Sequence, residues 1–320
     1  MVRPRKPRRL SAPAPGRALL LVPLLGLLWG FNWPAVRISL TEIAPWTLRA
    51  AGMSFAGLVL VAVALARGVP LAVPRGQWLR LVVAGFLSIA AFNVLLAFAQ
   101  LAAPTSRAAI LTFTMPIWAT LLARLVLSEA FDGRRLAGLA FGIAGLLCLG
   151  LPLIAAGQLP FGLMLALFAA VSWALGTIVT KRWPVSAPAL TIAAWQLLIG
   201  GLVAGIGMFA FEGLPVPKLL SPRVTVALSF HIVGAQALAY FLWFTVVARL
   251  PASIASLGTL MVPAVGVLGS VLLLGERPTP TDWLGLALVI AASGAIMVPG
   301  QSRLTMPAFI RKATGQYPNI

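Results

Sequence analysis

Apolar residues fall into ten runs, each close to the roughly 20 residues that a transmembrane helix needs. Gly, Pro and charged residues cluster between the runs and seldom interrupt them. The pattern predicts an all-α integral membrane protein. Its ten transmembrane helices are expected near residues 18–37, 46–66, 79–100, 105–125, 136–154, 160–180, 189–211, 224–247, 252–274 and 282–299.

One stretch of the chain occurs twice. The segment that begins at Pro104 aligns without a gap on the segment that begins at Pro251, a shift of 251 − 104 = 147 residues. Because each copy holds five spans, an odd number, the second copy enters the membrane from the opposite side, as in inverted-repeat secondary transporters. Identical residues meet at Pro104 and Pro251, Ser106 and Ser253, Thr112 and Thr259, Pro116 and Pro263, Glu129 and Glu276, and Gly138 and Gly285.

The repeat divides the chain into a basic arm (1–17), two five-helix copies (18–157 and 158–299) and a short tail (300–320). Of the 24 Lys and Arg residues, 18 lie in the termini or in connections on the same side of the membrane as the termini, and 6 lie on the other side. Basic residues collect in cytoplasmic segments. We therefore expect a multi-pass protein of the plasma (inner) membrane with both termini cytoplasmic.

Composition agrees with a membrane protein, because 60% of the residues are hydrophobic and 9% are charged. A soluble domain carries about a quarter charged residues. The net charge of +18 is explained by the cytoplasmic loops, so nucleic acid is not an expected partner, whereas membrane lipid is. With one Cys and one His in the chain, we expect no disulfide, no metal site and no cofactor.

Several motifs resemble one known family. They are L-W-G-F-N-W-P-A-V-R at 28–37, F-L-W-F-T-V-V-A-R-L-P-A-S-I-A-S-L at 241–257, the prolines Pro116 and Pro263, and the span ends S-E and G-E. In this order they resemble the drug/metabolite transporter superfamily, specifically its EamA type, over about residues 18–299. The resemblance implies ten helices and the export of amino acids, other metabolites or drugs. The second copy departs from the pattern, with W-A-L-G-T-I-V-T-K in place of W-G-x-N.

Polar and aromatic side chains inside the apolar runs are the first candidates for a solute site. Asn32 and Asn93 need a partner, because an unpaired amide in hydrocarbon is costly; each either bonds another helix or lines a wet cavity. Gln236 is open to the same two interpretations, as is Gln196. Tyr240 and Trp243 share a helix face and either line the cavity or anchor the helix at the interface.

The repeated prolines supply a second set of candidates. A proline inside a helix frees the carbonyl four residues earlier, which would be that of Thr112 for Pro116 and that of Thr259 for Pro263. The threonine hydroxyl either relieves the kink locally or joins a solute site. We expect solute contact at these positions and at the neighbouring Met115 and Met261.

Four ionisable residues remain to be assigned. Arg49, near the outer end of its span, is expected to snorkel to the interface, with attraction of an anion as the alternative. His231 is expected to be a hydrogen-bonded structural residue, or else the one group that titrates near neutral pH. Glu129 and Glu276 are each expected to make a helix-end or loop hydrogen bond that fixes the turn after its own span.

These observations favour a secondary transporter, of the exporter type, for a small organic solute that moves by alternating access. An integral membrane enzyme is a poorer reading, because all six acids lie at or beyond span ends. A non-transporting receptor or assembly factor on the same scaffold stays open.

Glycine pairs spaced by four, such as Gly138 and Gly142, serve helix packing and leave a homodimer open. Without an acid inside the bundle, we expect facilitated diffusion or exchange, or coupling through His231.

Overall fold

The computed structural model describes residues 21–128, 132–155, 160–215, 219–243 and 252–297, with side chains throughout except at 153, 252–260 and 297. These residues form helices, and none of them forms a strand. The predicted arm, the tail, Glu129 and the Thr259 side chain lie outside this part. The helices are α1 Leu21–Ser39, α2 Pro45–Ala66, α3 Trp78–Gly85, α4 Phe92–Ala102, α5 Thr105–Thr112, α6 Met115–Leu127, α7 Gly133–Ala155, α8 Phe161–Arg182, α9 Ala189–Gly207, α10 Pro222–Ser229, α11 Ala252–Leu274 and α12 Pro280–Met297.

Three π-helical segments and one short 3-10 turn extend these helices. Phe86–Ala91 joins α3 to α4, Met208–Glu212 continues α9, and Phe230–Leu238 continues α10. The 3-10 turn Arg75–Gln77 precedes α3.

Eight helical stretches of the described chain are long and apolar enough to cross a membrane. Two shorter apolar stretches, Met261–Leu274 and Pro280–Ile296, coincide with the last two predicted spans. The all-α fold predicted from the hydrophobic pattern is thus confirmed for the described residues, whereas the count of ten spans stays a prediction.

The ends of α6 and α11 share a left-handed backbone conformation, at Ser128 in one copy and at Gly275 in the other. Ser128, just after α6, has φ 55°, and Gly275, just after α11, has φ 69°. The two residues are 275 − 128 = 147 apart, the register of the repeat. A helix that ends in the left-handed conformation favours Gly there, so the second copy carries the less strained residue.

Helices of the first half pack against helices of the second half. α2 packs on α9, and α7 packs on α12. The contact of α1 with α11 has a counterpart in the contact of α8 with α5 and α6. Glycines permit the close approaches: a Cβ at Gly30 would collide with Val265, and one at Gly142 with Ile117. Small residues at such crossings let backbones approach in a membrane.

The predicted proline kinks differ between the copies. Pro263 lies inside the continuous helix α11. Pro116, however, lies in the first turn of α6, after a break at Phe113 and Thr114, so its placement in a helix interior is wrong. In a first turn the missing N–H of proline has no helical partner to lose.

Carboxylates cap helices that belong to the opposite half of the chain. Glu276 accepts hydrogen bonds from the backbone N–H groups of Thr105 (2.6 Å) and Ser106 (2.9 Å) at the start of α5. Glu212 accepts from those of Trp46 and Thr47, both 2.8 Å, at the start of α2. The expectation that Glu276 fixes the turn after its own span is therefore corrected, because its acceptors serve the N-terminal N–H groups of a distant helix.

Candidate functional site

A cluster of polar side chains, four of them buried and two half-buried, lies where α1, α2, α4 and residues 230–240 meet. The cluster consists of Asn32, Arg49, Asn93, His231, Gln236 and Tyr240. The helices around them are otherwise apolar, so the cluster is a polar region inside the bundle. Ionisable residues buried in spans are costly and mark binding sites or pathways by default.

Arg49 is the charged member of the cluster. Its side chain is 2% exposed, so the expectation that it snorkels to the interface is wrong. Its Nη1 donates to Asn93 Oδ1 over 3.4 Å, a long hydrogen bond, and its Nε has no hydrogen-bond partner within the described part of the chain. Tyr240 and His231 are near enough to interact with it electrostatically.

His231 faces Asn32 on one side and α2 on the other. Its Nδ1 lies 2.7 Å from Asn32 Oδ1. Because that oxygen is an acceptor, Nδ1 donates a proton to it, while the buried Nε2 has no hydrogen-bond partner among the described residues. Gly52 allows the ring to approach, since a Cβ there would lie 2.9 Å from His231 Nε2.

Two π-helical segments position Asn93, Gln236 and His231 of this cluster. Asn93 lies two residues after the end of Phe86–Ala91, and its Nδ2 donates to Ile89 O over 2.9 Å. His231 and Gln236 lie within Phe230–Leu238. The wider turn of a π-helix redirects side chains and occurs frequently at functional sites. The buried Gln236 Oε1 has no hydrogen-bond partner among the described residues.

Aromatic side chains flank the polar cluster. The Trp29 ring packs edge-on against Tyr240, with centroids 5.8 Å apart, and lies 5.7 Å from the Trp243 ring. Trp29 Nε1 also donates to Ala235 O over 3.2 Å, which fixes the indole. Tyr240 and Trp243 therefore belong to one aromatic group with Trp29, and their role as cavity-lining residues stays a prediction.

The remaining predicted site residues are part of α5, α6 and α11. Thr112 is fully buried, and its hydroxyl donates to Ala108 O of its own helix over 2.8 Å. Met115 and Pro116 are half-buried at the start of α6. Pro263 is buried in α11, whereas Met261 is 38% exposed. Of the other predicted site residues, Asn32, Asn93 and Tyr240 are members of the cluster, and Trp243 contacts it through Trp29.

Sequence reasoning gave too little weight to Arg49, His231 and Gln236. One signal was available: Gly52 lies three residues after Arg49, on the same face of α2. A small residue beside a buried cation indicates a close neighbour on that face. Which helix supplies the neighbour depends on the packing of distant segments, which the spacing of residues does not encode.

A pocket of about 510 Å³ opens at the end of the bundle where α1 ends and α10 begins. Its lining includes Arg37, Glu42, Arg223 and Glu276. Within the described residues, His, Cys, Asp and Glu do not come together in the groups of three that hold a metal ion. The cluster offers the Arg49 guanidinium, amides, a phenol and an imidazole, which together suit recognition through hydrogen bonds.

Known proteins resemble the chain over most of its length. The profile of the EamA-like transporter family matches residues 16–151 and again residues 160–298. An uncharacterised transporter of Bacillus subtilis strain 168, YvbV, is 29% identical over 276 residues, covering 86% of this chain and 90% of that protein. A protein of Escherichia coli strain K12 named "Probable amino-acid metabolite efflux pump" is 27% identical over 281 residues, with 85% and 91% covered.

A solved crystal structure has the same fold. It aligns with a TM-score of 0.61 over 88% of this chain and 96% of that chain, at 21% sequence identity. At that identity the likeness concerns the fold alone.

Proposed function

The chain belongs to the EamA-like transporter family, and from that premise we propose that it exports a small organic solute across the inner membrane by alternating access. Relatives named as transporters and efflux pumps support the transport function. An amino acid or a related metabolite is the proposed solute class, since one of these relatives is named as an amino-acid metabolite efflux pump.

The proposed architecture is two inverted five-helix repeats, which supply ten spans. The family profile matches twice, once in each half. The helix contacts support the repeat as well. The first helix of one copy packs on the fourth span of the other copy in both cases, as α1 on α11 and as α8 on α5 and α6. The excess of basic residues on one side supports cytoplasmic termini.

The buried polar cluster carries the proposal for the solute site. Asn32, Arg49 and Asn93 come from the first half of the chain, and His231, Gln236 and Tyr240 come from the second. A site shared by two halves changes shape when one half rocks against the other, which is what alternating access requires. The aromatic group beside the cluster would hold the apolar part of the solute.

Solute exchange in proteoliposomes tests this function. The full-length protein is first screened by thermal shift against the standard L-amino acids and their common metabolites. Vesicles loaded with an excess of a stabilising compound should then accumulate the radiolabelled form of it, and empty vesicles should not.

Two outcomes would contradict transport. Binding without exchange would favour a receptor or assembly factor, and chemical conversion of the compound would favour a membrane enzyme. Reporter fusions at Ile320 and near Ala156 test the topology separately. A periplasmic Ile320 with a cytoplasmic Ala156 would overturn the proposed topology without affecting the transport function.

A further inference from the structure

Arg49 is a buried cation with no opposite charge beside it. It forms no ion pair within the described part of the chain, whereas Arg107 is paired with Asp282. Its direct contact is the neutral Asn93, and its electrostatic neighbours are Tyr240 and His231. A buried charge is stable in a protein when it is paired with an opposite charge.

The carboxylates that the structure describes are all engaged at other places. Their acceptor oxygens serve helix ends or a different arginine, so none of them is turned toward Arg49. Glu42 accepts from Ser221 N, Asp132 from Arg135 N, Glu212 from Trp46 N and Thr47 N, Glu276 from Thr105 N and Ser106 N, and Asp282 from Arg107.

We infer that Arg49 is the recognition group for a carboxylate on the transported solute, so that the solute itself supplies the missing negative charge. This inference rests on the proposed function and names the chemical class of its solute. Arg Nε–H is one of the two donors that form a bidentate pair with a carboxylate. In Arg49 that Nε is buried and has no partner among the described residues.

The neighbours of Arg49 suit an organic carboxylate better than an inorganic anion. Asn93 Oδ1 holds one side of the guanidinium, which leaves its Nε edge for a planar acceptor. Tyr240, packed on Trp29, offers an aromatic surface beside the charge. A flat carboxylate with an apolar body can use both features, whereas phosphate or chloride uses the charge alone.

Matched ligand pairs test the inference on the unmodified full-length protein. The probes are L-leucine with L-leucinamide, and 4-methylpentanoate with 4-methylpentanamide, together with sodium phosphate and sodium chloride. Each pair differs at the carboxylate, and comparison of the two pairs tests the amino group. We expect the carboxylates to raise the melting temperature and the amides to bind roughly tenfold to a hundredfold more weakly, the range for losing a charge-assisted hydrogen bond.

The variant Arg49→Gln should lose this difference between acid and amide, and Arg49→Lys should keep part of it because the charge remains. Arg223→Gln, which removes an exposed cation at the end of the bundle, is the matched control and should leave the difference unchanged. Because the ligand pairs already test the unmodified protein, the inference stays falsifiable if Arg49→Gln does not fold.

Equal stabilisation by acids and amides would overturn the inference, as would unchanged discrimination in Arg49→Gln. Stabilisation by phosphate or chloride alone would identify an inorganic anion site and overturn it too. If vesicles exchange neutral solutes and Arg49→Gln exchanges them equally well, the transport function survives and the carboxylate inference fails. If carboxylates bind through Arg49 and no solute exchanges, the transport function fails and the inference survives.

Discussion

Arg49 and Arg107 are both largely withdrawn from solvent, yet their surroundings differ. Arg107 donates through Nε to Asp282 Oδ1 over 2.7 Å and through Nη2 to Oδ2 over 3.3 Å, a two-point ion pair between α5 and α12. Arg49 is more deeply buried, at 2% exposure against 21% for the Arg107 side chain, and its hydrogen bond to Asn93 is 3.4 Å long.

The contrast separates a structural cation from one available for binding. Asp282 is held in place by Thr279, whose N–H and hydroxyl both donate to it, so the Arg107 pair is fixed before any ligand arrives. Around Arg49 no described carboxylate accepts from the guanidinium, and its hydrogen bond goes to the neutral amide of Asn93. A site that keeps an uncompensated charge lowers the stability of the empty protein, and such a cost is typical where function requires it.

The Arg107–Asp282 pair should give the largest loss of stability. We expect Arg107→Gln to lower the free energy of unfolding by about 3 kcal/mol, because it leaves a buried carboxylate without its partner. The midpoint of unfolding in detergent micelles measures this loss. Solute exchange per folded molecule should stay near that of the unmodified protein.

The double variant Arg107→Gln with Asp282→Asn is the control for that experiment, since it removes both charges and should recover part of the stability. A loss of exchange in Arg107→Gln with unchanged unfolding would place Arg107 on the solute path and remove the distinction between the two arginines.

Asn93→Asp should give Arg49 a carboxylate partner within the protein, as Arg107 has in Asp282. The new carboxylate would lie where Asn93 Oδ1 now accepts from Arg49, so the guanidinium gains an internal counter-ion. The loss of the Nδ2 bond to Ile89 O offsets part of the gain. We expect about 1 kcal/mol of added stability and at least tenfold weaker binding of carboxylates, measured by thermal shift and titration.

Asn93→Ala serves as the matched control, because it removes the amide and leaves Arg49 uncompensated. It should lose stability, yet bind carboxylates more tightly than Asn93→Asp does. If Asn93→Asp and Asn93→Ala bind carboxylates equally, the solute does not compete for the Arg49 charge.

The fold could be predicted from the sequence further than the site could. Apolar run length and Gly or Pro breaks depend on local residues, and they placed the helices. Pro116 was wrongly placed in a helix interior because the break at Phe113 and Thr114 contains no Gly or Pro. A two-residue break of that kind is set by packing against neighbouring helices, not by the intrinsic preferences of its residues.

The site was harder because it depends on which distant helices meet. Arg49 was expected to snorkel, which is correct for an arginine near a helix end that faces lipid. Here α2 packs on α9 and on the Phe230–Leu238 segment, so the same position faces protein. The π-helical segments that position Asn93, His231 and Gln236 also leave no distinctive sequence pattern.

Helix-capping acids should give a smaller effect than the ion pair. Glu276→Gln keeps an acceptor for only one of the Thr105 and Ser106 N–H groups, and it loses the charge that complements the helix N-terminus, so we expect about 1 kcal/mol of destabilisation. Glu212→Gln, the cap of α2, should behave alike. Exchange driven by a pH gradient that disappears in Glu276→Gln alone would instead make Glu276 a coupling acid.

The smallest effect is expected at Thr112, where cysteine labelling distinguishes the two sets of candidate residues. In a Cys148→Ala background, which has no other thiol, Asn32→Cys should react with a membrane-impermeant reagent and be protected by a bound carboxylate. Thr112→Cys should stay at background, because the native side chain is fully buried and bonded to its own helix. Solute-protected labelling at Thr112→Cys would instead extend the path to α5, and the break between α5 and α6 would then face the solute. The polar cluster around Arg49 would be one end of a longer route.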